Sequence, residues 1–288
     1  MNKKSISKVL KKKHEDFLSS IKDENVRSLV DKNSIITGGA ITSMLLNEEV
    51  NDFDYYFTNK ETVLAVANYY VKEFKEKNNY EISIEDFEDR VKIKVKSLGV
   101  ASVGDPIDLM TNVVEELDEI PAEALEKDTP KYIPISITNN AITLSNKVQL
   151  IIRFYGEPEN IHENYDFVHG TNYWLSKDGS LHLNQPALES TLARQLYYTG
   201  SLYPVSSVVR TRKFIKRGWH INAGQYIKMC FQISQLDLTD IGVLEDQLTG
   251  VDNSFFYQII EWFKKQKSED EIFEITEPYL VSIIDKIF

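Results

Sequence analysis

The sequence predicts an α/β (α+β) head built on a mixed sheet, residues 1–185, followed by an all-helical C-terminal domain, residues 186–288. Three observations carry this expectation. Up to about residue 185, short alternating apolar runs are interleaved with stretches of helical period. From Gln185 onward only the helical period persists. The chain has 288 residues and 42% hydrophobic content, including 14 Phe and 15 Tyr, which is enough core material for one large domain or two modest ones.

Residues 5–32 read as one helix, with Ile6, Val9, Leu10, Phe17, Leu18, Ile21, Val26, Leu29 and Val30 roughly at helical spacing among Lys and Glu. Ser34 to Thr37 is a short apolar strand that Gly38-Gly39 breaks, and AITSMLL opens a short helix. NDFDYYFT alternates like a strand. Asn59 is placed to cap a helix over KETVLAVANYYVKEFKEK. YEISI and VKIKVKSLGV are strand-like, and residues 105–128 form an acidic, irregular stretch that fits a solvated loop. AITLSNKVQLIIRF predicts a hairpin turning at 145–147, and PENIHEN a short helix with Pro158 near its start. YDFVHGTNYWLSKDGSLHL predicts a second hairpin turning at Asp178-Gly179. PALESTLARQLYYTG, VVRTRKFIKRG, AGQYIKMCFQISQL and two C-terminal stretches read as helices.

Bulk composition excludes several classes. No run of about 18 apolar residues exists, so no transmembrane helix is expected. The basic start lacks the apolar stretch and cleavage site of a signal peptide. A single cysteine, Cys230, excludes an intramolecular disulfide and a cysteine-based zinc cluster, and its apolar surroundings predict a buried thiol. A reducing, cytoplasmic setting follows. The net charge of −11 argues against a general nucleic-acid coat, which needs clustered cations.

The chemistry concentrates in residues 35–57, IITGGAITSMLLNEEVNDFDYYF. Gly38 and Gly39 let backbone approach a ligand closely, and the helix after them points free N–H groups at the same place, which suits phosphate oxygens. Thr42 and Ser43 in that helix could add hydroxyl donors. Asp52 and Asp54 are two apart on a strand, so both carboxylates project from one face. Two such carboxylates call for a cation, and Mg²⁺ takes oxygen ligands and bridges to phosphates. Either half alone would be an ordinary acidic strand edge or an ordinary Gly-Gly turn; together they point to a phosphate-and-metal site.

This pattern resembles the DNA polymerase β-type nucleotidyltransferase superfamily, whose signature is a Gly-Gly or Gly-Ser turn, a short helix and an Asp-x-Asp strand. It is most similar to the head of CCA-adding and bacterial poly(A) polymerases. Those read Gly-Gly-x-Val-Arg-Asp-x-Leu-Leu where this chain has Gly38 to Leu46, and then Asp-x-Asp where it has Asp52-Phe53-Asp54. Thr42 and Ser43 stand where those enzymes carry Arg and Asp. VQLIIRFYGEPENIHENYDFVHGTNYW and RTRKFIKRGWHINAGQYIKM also resemble phage-encoded nucleotidyltransferase-like proteins. The resemblance implies transfer of a nucleoside monophosphate from an NTP to a hydroxyl, with two Mg²⁺ ions and release of pyrophosphate. The acceptor it implies is an RNA 3′ end, tRNA first. Alternatives are a toxin- or defence-type enzyme modifying tRNA or protein, and an inactive nucleotide-binding scaffold.

The family usually needs a third acidic residue. The matching position in VQLIIR is Gln149, which cannot ionise. Asp166, opening the strand-like YDFVHG that is expected to pair beside VQLIIR, is the leading candidate, and Asp108 in PIDLM the other. Arg210, Lys213 and Arg217 share one helical face in a dense cationic stretch, an expected contact for triphosphate or RNA, with Trp219 available for stacking. His169 is expected to be structural, and His14, His162, His182 and His220 show no metal-ligand spacing.

Overall fold

The computed structural model describes residues 1–77, 81–88, 90–96, 131–138, 140–248, 263–268, 276 and 278–282. The described residues fall into two compact units, one running to Thr199 and the other starting at Gly200.

The first unit begins with two helices, α1 (Lys3–Ser20) and α2 (Glu24–Asn33), rather than one. The helical period runs on through the break, but Asp23 stops the ladder. Its side chain accepts hydrogen bonds from the N–H groups of Asn25 and Val26, a restart signal for a new helix. Strand β1 (Ser34–Thr37), helix α3 (Gly39–Leu46), strand β2 (Phe53–Phe57) and helix α4 (Lys60–Lys77) follow as expected. Asn59 Oδ1 accepts from Thr62 N at 2.9 Å, the expected cap. β3 (Glu81–Asp86) and β4 (Val91–Lys96) form a separate antiparallel pair. β5 (Pro134–Ile137), β6 (Ala141–Leu144) and β7 (Val148–Tyr155) lead into α5 (Pro158–His162). The β6–β7 hairpin turns through Ser145, Asn146 and Lys147, a three-residue loop with positive φ at Asn146 and Lys147.

The second expected hairpin is only half formed. β8 (Tyr173–Leu175) and β9 (Leu181–His182) pair around a turn in which Gly179 has φ +67°. YDFVHG, however, is no strand: Asp166 sits in a bend, and Val168–Thr171 forms a 3-10 turn. Gly38 N–H donates to the Gly170 carbonyl, so this segment folds back onto the Gly38 turn instead of joining the sheet. Helix α6 (Gln185–Ala193) ends at Arg194, which has φ +49°.

One seven-stranded mixed sheet runs in the order β5-β6-β7-β2-β1-β8-β9, and only the β2–β7 pair is parallel. One face carries the main core. Ile6, Leu10 and Phe17 of α1, Val26 and Val30 of α2 and Val63, Val66 and Tyr70 of α4 join Ile36, Tyr55, Phe57, Leu150 and Trp174 there. Tyr55 and Phe57 are fully buried, as an alternating strand over one packed face demands. The other face carries a small cluster, Ile35, Tyr56, Leu175 and Ile161 of α5.

His14 of α1 is buried in the main core, its ring 5.3 Å from Trp174 and 6.0 Å from Tyr55. Burial lowers its pKa to about 4, outweighing the opposing pull of Asp31.

The second unit contains α7 (Pro204–Lys216), α8 (Ala223–Ile233) and α9 (Ile241–Leu248). Cys230 is exposed, contrary to expectation, because α8 buries Gln225 and Met229 and leaves the rest of its apolar run outside. Among the described residues, no helix is long and apolar enough to cross a membrane.

Candidate metal and nucleotide site

Gly38 lies between β1 and α3 with φ +85° and ψ −148°, a region that is essentially glycine's alone. A Cβ placed there would stand 2.8 Å from Asp54 Oδ2 and 3.6 Å from the Tyr165 hydroxyl. The Asp54 carboxylate is therefore packed directly on the Gly38 backbone. Gly39 differs in kind: it is exposed, has ordinary backbone angles, and a Cβ on it would meet nothing within 4 Å. It opens α3, whose N-cap Gly38 has no side chain to occupy the first-turn N–H groups. An open, amide-lined helix start thus adjoins a carboxylate.

Asp54 lies opposite Thr37 of β1 and beside Gln149 of β7. Asp52 is exposed and stands just before β2, separated from Asp54 by Phe53, whose side chain enters the main core. The approach to Asp52 is fastened by two ion pairs, Arg194 to Glu48 and Lys147 to Glu49, each at 2.6 Å. Lys147 also donates to the Val50 carbonyl and takes Phe53 N–H on its own carbonyl. Its ammonium holds the Glu49 carboxyl below the ordinary carboxylate range.

The strand register extends the picture sideways. Cross-strand partners share a face, so Ser136, Thr143, Gln149, Asp54, Thr37, Tyr173 and His182 form one row across all seven strands. Asp54 is the only acid in it, flanked by the Gln149 amide on one side and the Thr37 hydroxyl on the other.

Among the described residues, no group of three or more His, Cys, Asp or Glu side chains could hold a metal on its own. Asp52 and Asp54 are a hard oxygen pair, and that donor set fits Mg²⁺. This ion characteristically uses one or two carboxylates and completes its shell with substrate phosphates and water.

The other expected site residues fall as follows. Thr42 and Ser43 are buried, 2% and 4% exposed. Thr42 donates its hydroxyl to the His169 carbonyl at 3.0 Å, tying α3 to the 3-10 turn. Thr42→Val should lower stability by about 1–2 kcal/mol, since it leaves a buried carbonyl without its donor, and should leave nucleotide affinity unchanged; urea unfolding and nucleotide titration check both. The neighbours of β7 are β2 and β6, so the strand pairing expected for Asp166 does not occur. The Asp166 carbonyl instead accepts from Thr199 N at 2.9 Å. Asp108 lies outside the described residues. His169 is buried, as expected for a structural histidine, though in the 3-10 turn rather than a strand. Arg210 and Lys213 on α7, and Arg217 at its C-terminus, belong to the second unit. Trp219 is 2% exposed and packs edge-on against Phe214, 5.7 Å between centroids, so it offers no stacking surface.

Sequence reasoning missed His162 and Tyr165. His162 Nε2 lies 2.9 Å from Thr37 Oγ1, and its ring is 5.1 Å from that of Tyr165. Burial lowers the His162 pKa to about 4 against a small opposing effect of Glu159. For His14 and His162 the folded pKa lies below the unfolded value of about 6.5. Their contribution is therefore full above pH 6.5 and is lost as pH falls from there toward 4. Acidification from pH 7 to pH 5 should cost about 1–2 kcal/mol per histidine, measured by urea unfolding, and His14→Leu should flatten that slope.

Residues 8–194 match the model of the family described as Gabija anti-defense 2. The chain belongs to that family. A curated member, Gabija anti-defense 2 of Bacillus phage SPbetaL7, is 21% identical over 250 residues, which are 86% of this chain and 48% of the relative. The chain thus spans about half the length of the curated member it matches. Among solved structures it is similar to the Thermotoga maritima CCA-adding enzyme complexed with tRNA, at 10% identity and TM-score 0.40 over 91% of this chain and 57% of that one. It is also similar to the Bacillus stearothermophilus CCA-adding enzyme in complex with CTP, at 11% identity and TM-score 0.36 over 75% and 44%.

Proposed function

We propose that the chain is a Mg²⁺-dependent nucleotidyltransferase that moves a nucleoside monophosphate from an NTP to an acceptor, releases pyrophosphate, and by that transfer acts against Gabija defence. The observation that carries the enzymatic part is the Asp54 carboxylate seated on Gly38 at the open start of α3. Membership of the Gabija anti-defense 2 family supports the biological part.

Asp52 and Asp54 would hold Mg²⁺, which when bound neutralises phosphate charge and draws electron density from the reacting phosphorus. The first-turn N–H groups of α3, beginning at Gly39, would take phosphate oxygens, where the helix dipole adds to their pull. Gly38 permits the close approach. Arg210, Lys213 and Arg217 are proposed as triphosphate or RNA contacts, with a hydroxyl of RNA, tRNA first, as acceptor. Asp166 and Asp108 are the carboxylates to test as acceptor-side base.

A thermal-shift panel with the four NTPs and Mg²⁺ tests binding, and labelling of host RNA and protein with α-labelled NTPs tests transfer. Plating of phage on a Bacillus host carrying Gabija, with wild type or Asp54→Asn supplied, joins the two. Protection of phage by the variant as good as that by wild type would sink the enzymatic reading. A specific observation favours a second reading, a nucleotide-binding scaffold without turnover: the neutral Gln149 stands beside Asp54 where a third acid is expected. Nucleotide binding with no label on any acceptor would establish it.

A further inference from the structure

Lys147 stands in the turn between β6 and β7 with φ +58°. Its neighbour Asn146, at φ +63°, belongs to the few residue types that visit this left-handed region readily. Lysine does not, because its Cβ crowds the backbone there. Glycine is the usual occupant of such a position in a three-residue hairpin loop. A lysine persists in it only where the surroundings hold the backbone in place. Here they do. Ser145 N–H donates to the Ile133 carbonyl at 2.9 Å, and Ser145 Oγ accepts from Ile133 N at 3.1 Å. Lys13 of α1 donates to the Asn146 carbonyl, and its ammonium lies 4.8 Å from the centre of the Phe53 ring.

The lysine side chain has a use that glycine could not supply. In the parallel pair β2–β7, Val148 stands beside Phe53. One step back along both strands, Lys147 comes beside Asp52. Lys147 Nζ donates to Glu49 Oε1 at 2.6 Å and to the Val50 carbonyl at 3.2 Å. The Lys147 carbonyl accepts from Phe53 N at 2.8 Å. The main chain two residues before Asp52 and one residue after it is therefore bonded to a single residue. Glu48 is fastened separately, by Arg194 at 2.6 Å and by its own N–H to the Ser43 carbonyl at 2.8 Å. The reach of Lys147 is thus residues 49–53.

We propose that Lys147 is a positioning residue for Asp52: a rigid turn holds it in a left-handed conformation, and from there it clamps the main chain on both sides of the aspartate. The clamp explains why lysine occupies a place where glycine or asparagine would ease the turn, since neither reaches Glu49 and Val50. The consequence for metal binding rests on the reading of Asp52 as a Mg²⁺ ligand; the clamp does not.

Lys147→Gly and Lys147→Asn both suit the left-handed turn and remove the ammonium. In the full chain each should melt within about 3 °C of wild type, because the backbone is eased and the ion pair lost is an exposed one. The ¹⁵N order parameters of Asn51 and Asp52, about 0.85 in wild type, should fall to about 0.6 or below, while Glu48 keeps its value. Mn²⁺ should bind each variant about tenfold more weakly, as a pre-organised ligand is lost. Should one variant fail to fold, the other decides. Order parameters unchanged at Asn51 and Asp52 overturn the proposal, and so does a loss of order that extends equally to Glu48. Loosened Asn51 and Asp52 in the variants, with a wild-type chain that binds no Mn²⁺, support the clamp and remove the metal reading instead.

Discussion

On the proposed reading, Asp54→Asn is expected to lower Mg²⁺-dependent nucleotidyl transfer about a thousandfold, equivalent to roughly 4 kcal/mol of lost transition-state stabilisation. The amide is nearly isosteric, so packing on Gly38 persists. What disappears is the negative charge. In a row whose other members are Ser136, Thr143, Gln149, Thr37, Tyr173 and His182, no neighbouring acid replaces it. Asp52→Asn should act in the same direction, because Mg²⁺ held by one remaining carboxylate is poorly retained. The check is release of labelled pyrophosphate from γ-labelled NTP, together with thermal melts showing that both variants fold. Two folded variants with wild-type turnover would remove the Asp pair from the chemistry.

Gly38→Ala should be the most damaging small change in the first unit. The φ of +85° with ψ −148° is costly for any residue with a Cβ, and the new methyl would stand 2.8 Å from Asp54 Oδ2. Strain and overpacking add to about 3 kcal/mol, a loss of roughly 6–12 °C in melting temperature for a unit of this size. Gly39→Ala is the matched control. It introduces no strain and meets no atom, so stability should stay within about 1 kcal/mol. Its methyl enters the open space at the helix start, so nucleotide affinity should fall while the fold holds. Urea unfolding and nucleotide titration of the two variants separate a glycine the fold needs from one a ligand needs. Equal stability of both variants would contradict the assigned backbone geometry.

Much of this was legible in the sequence because it is local. The Gly38-Gly39 turn, the Asn59 cap and the turn at Ser145–Lys147 each act within a few residues, and each sits where expected, whereas Asp52 falls just before β2 and not on it beside Asp54. The break at Asp23 was equally local; the continuous apolar period around it hid a capping signal. YDFVHG misled for a different reason. Its alternation buries Phe167 and His169, as a strand would, but a backbone bond from Gly38 across 132 positions curls it into a 3-10 turn. His162 and Tyr165 carry no sequence signal, since their partners Thr37 and Tyr56 come from strands more than a hundred residues away. Cys230 was misplaced because an apolar run does not say which of its faces finds a neighbour.

The bond from Gly38 to Gly170 and the parallel pairing of β2 with β7 also fix an order of events. During synthesis Asp52 and Asp54 leave the ribosome more than a hundred residues ahead of Gly170, so until then the row beside them lacks Gln149 and Gly38 lacks its backbone partner. Long-range pairing of this kind forms late and slowly. A nascent chain therefore carries its acidic pair for many seconds before the corner that organises it exists, and a fragment ending before Gly170 should never acquire it.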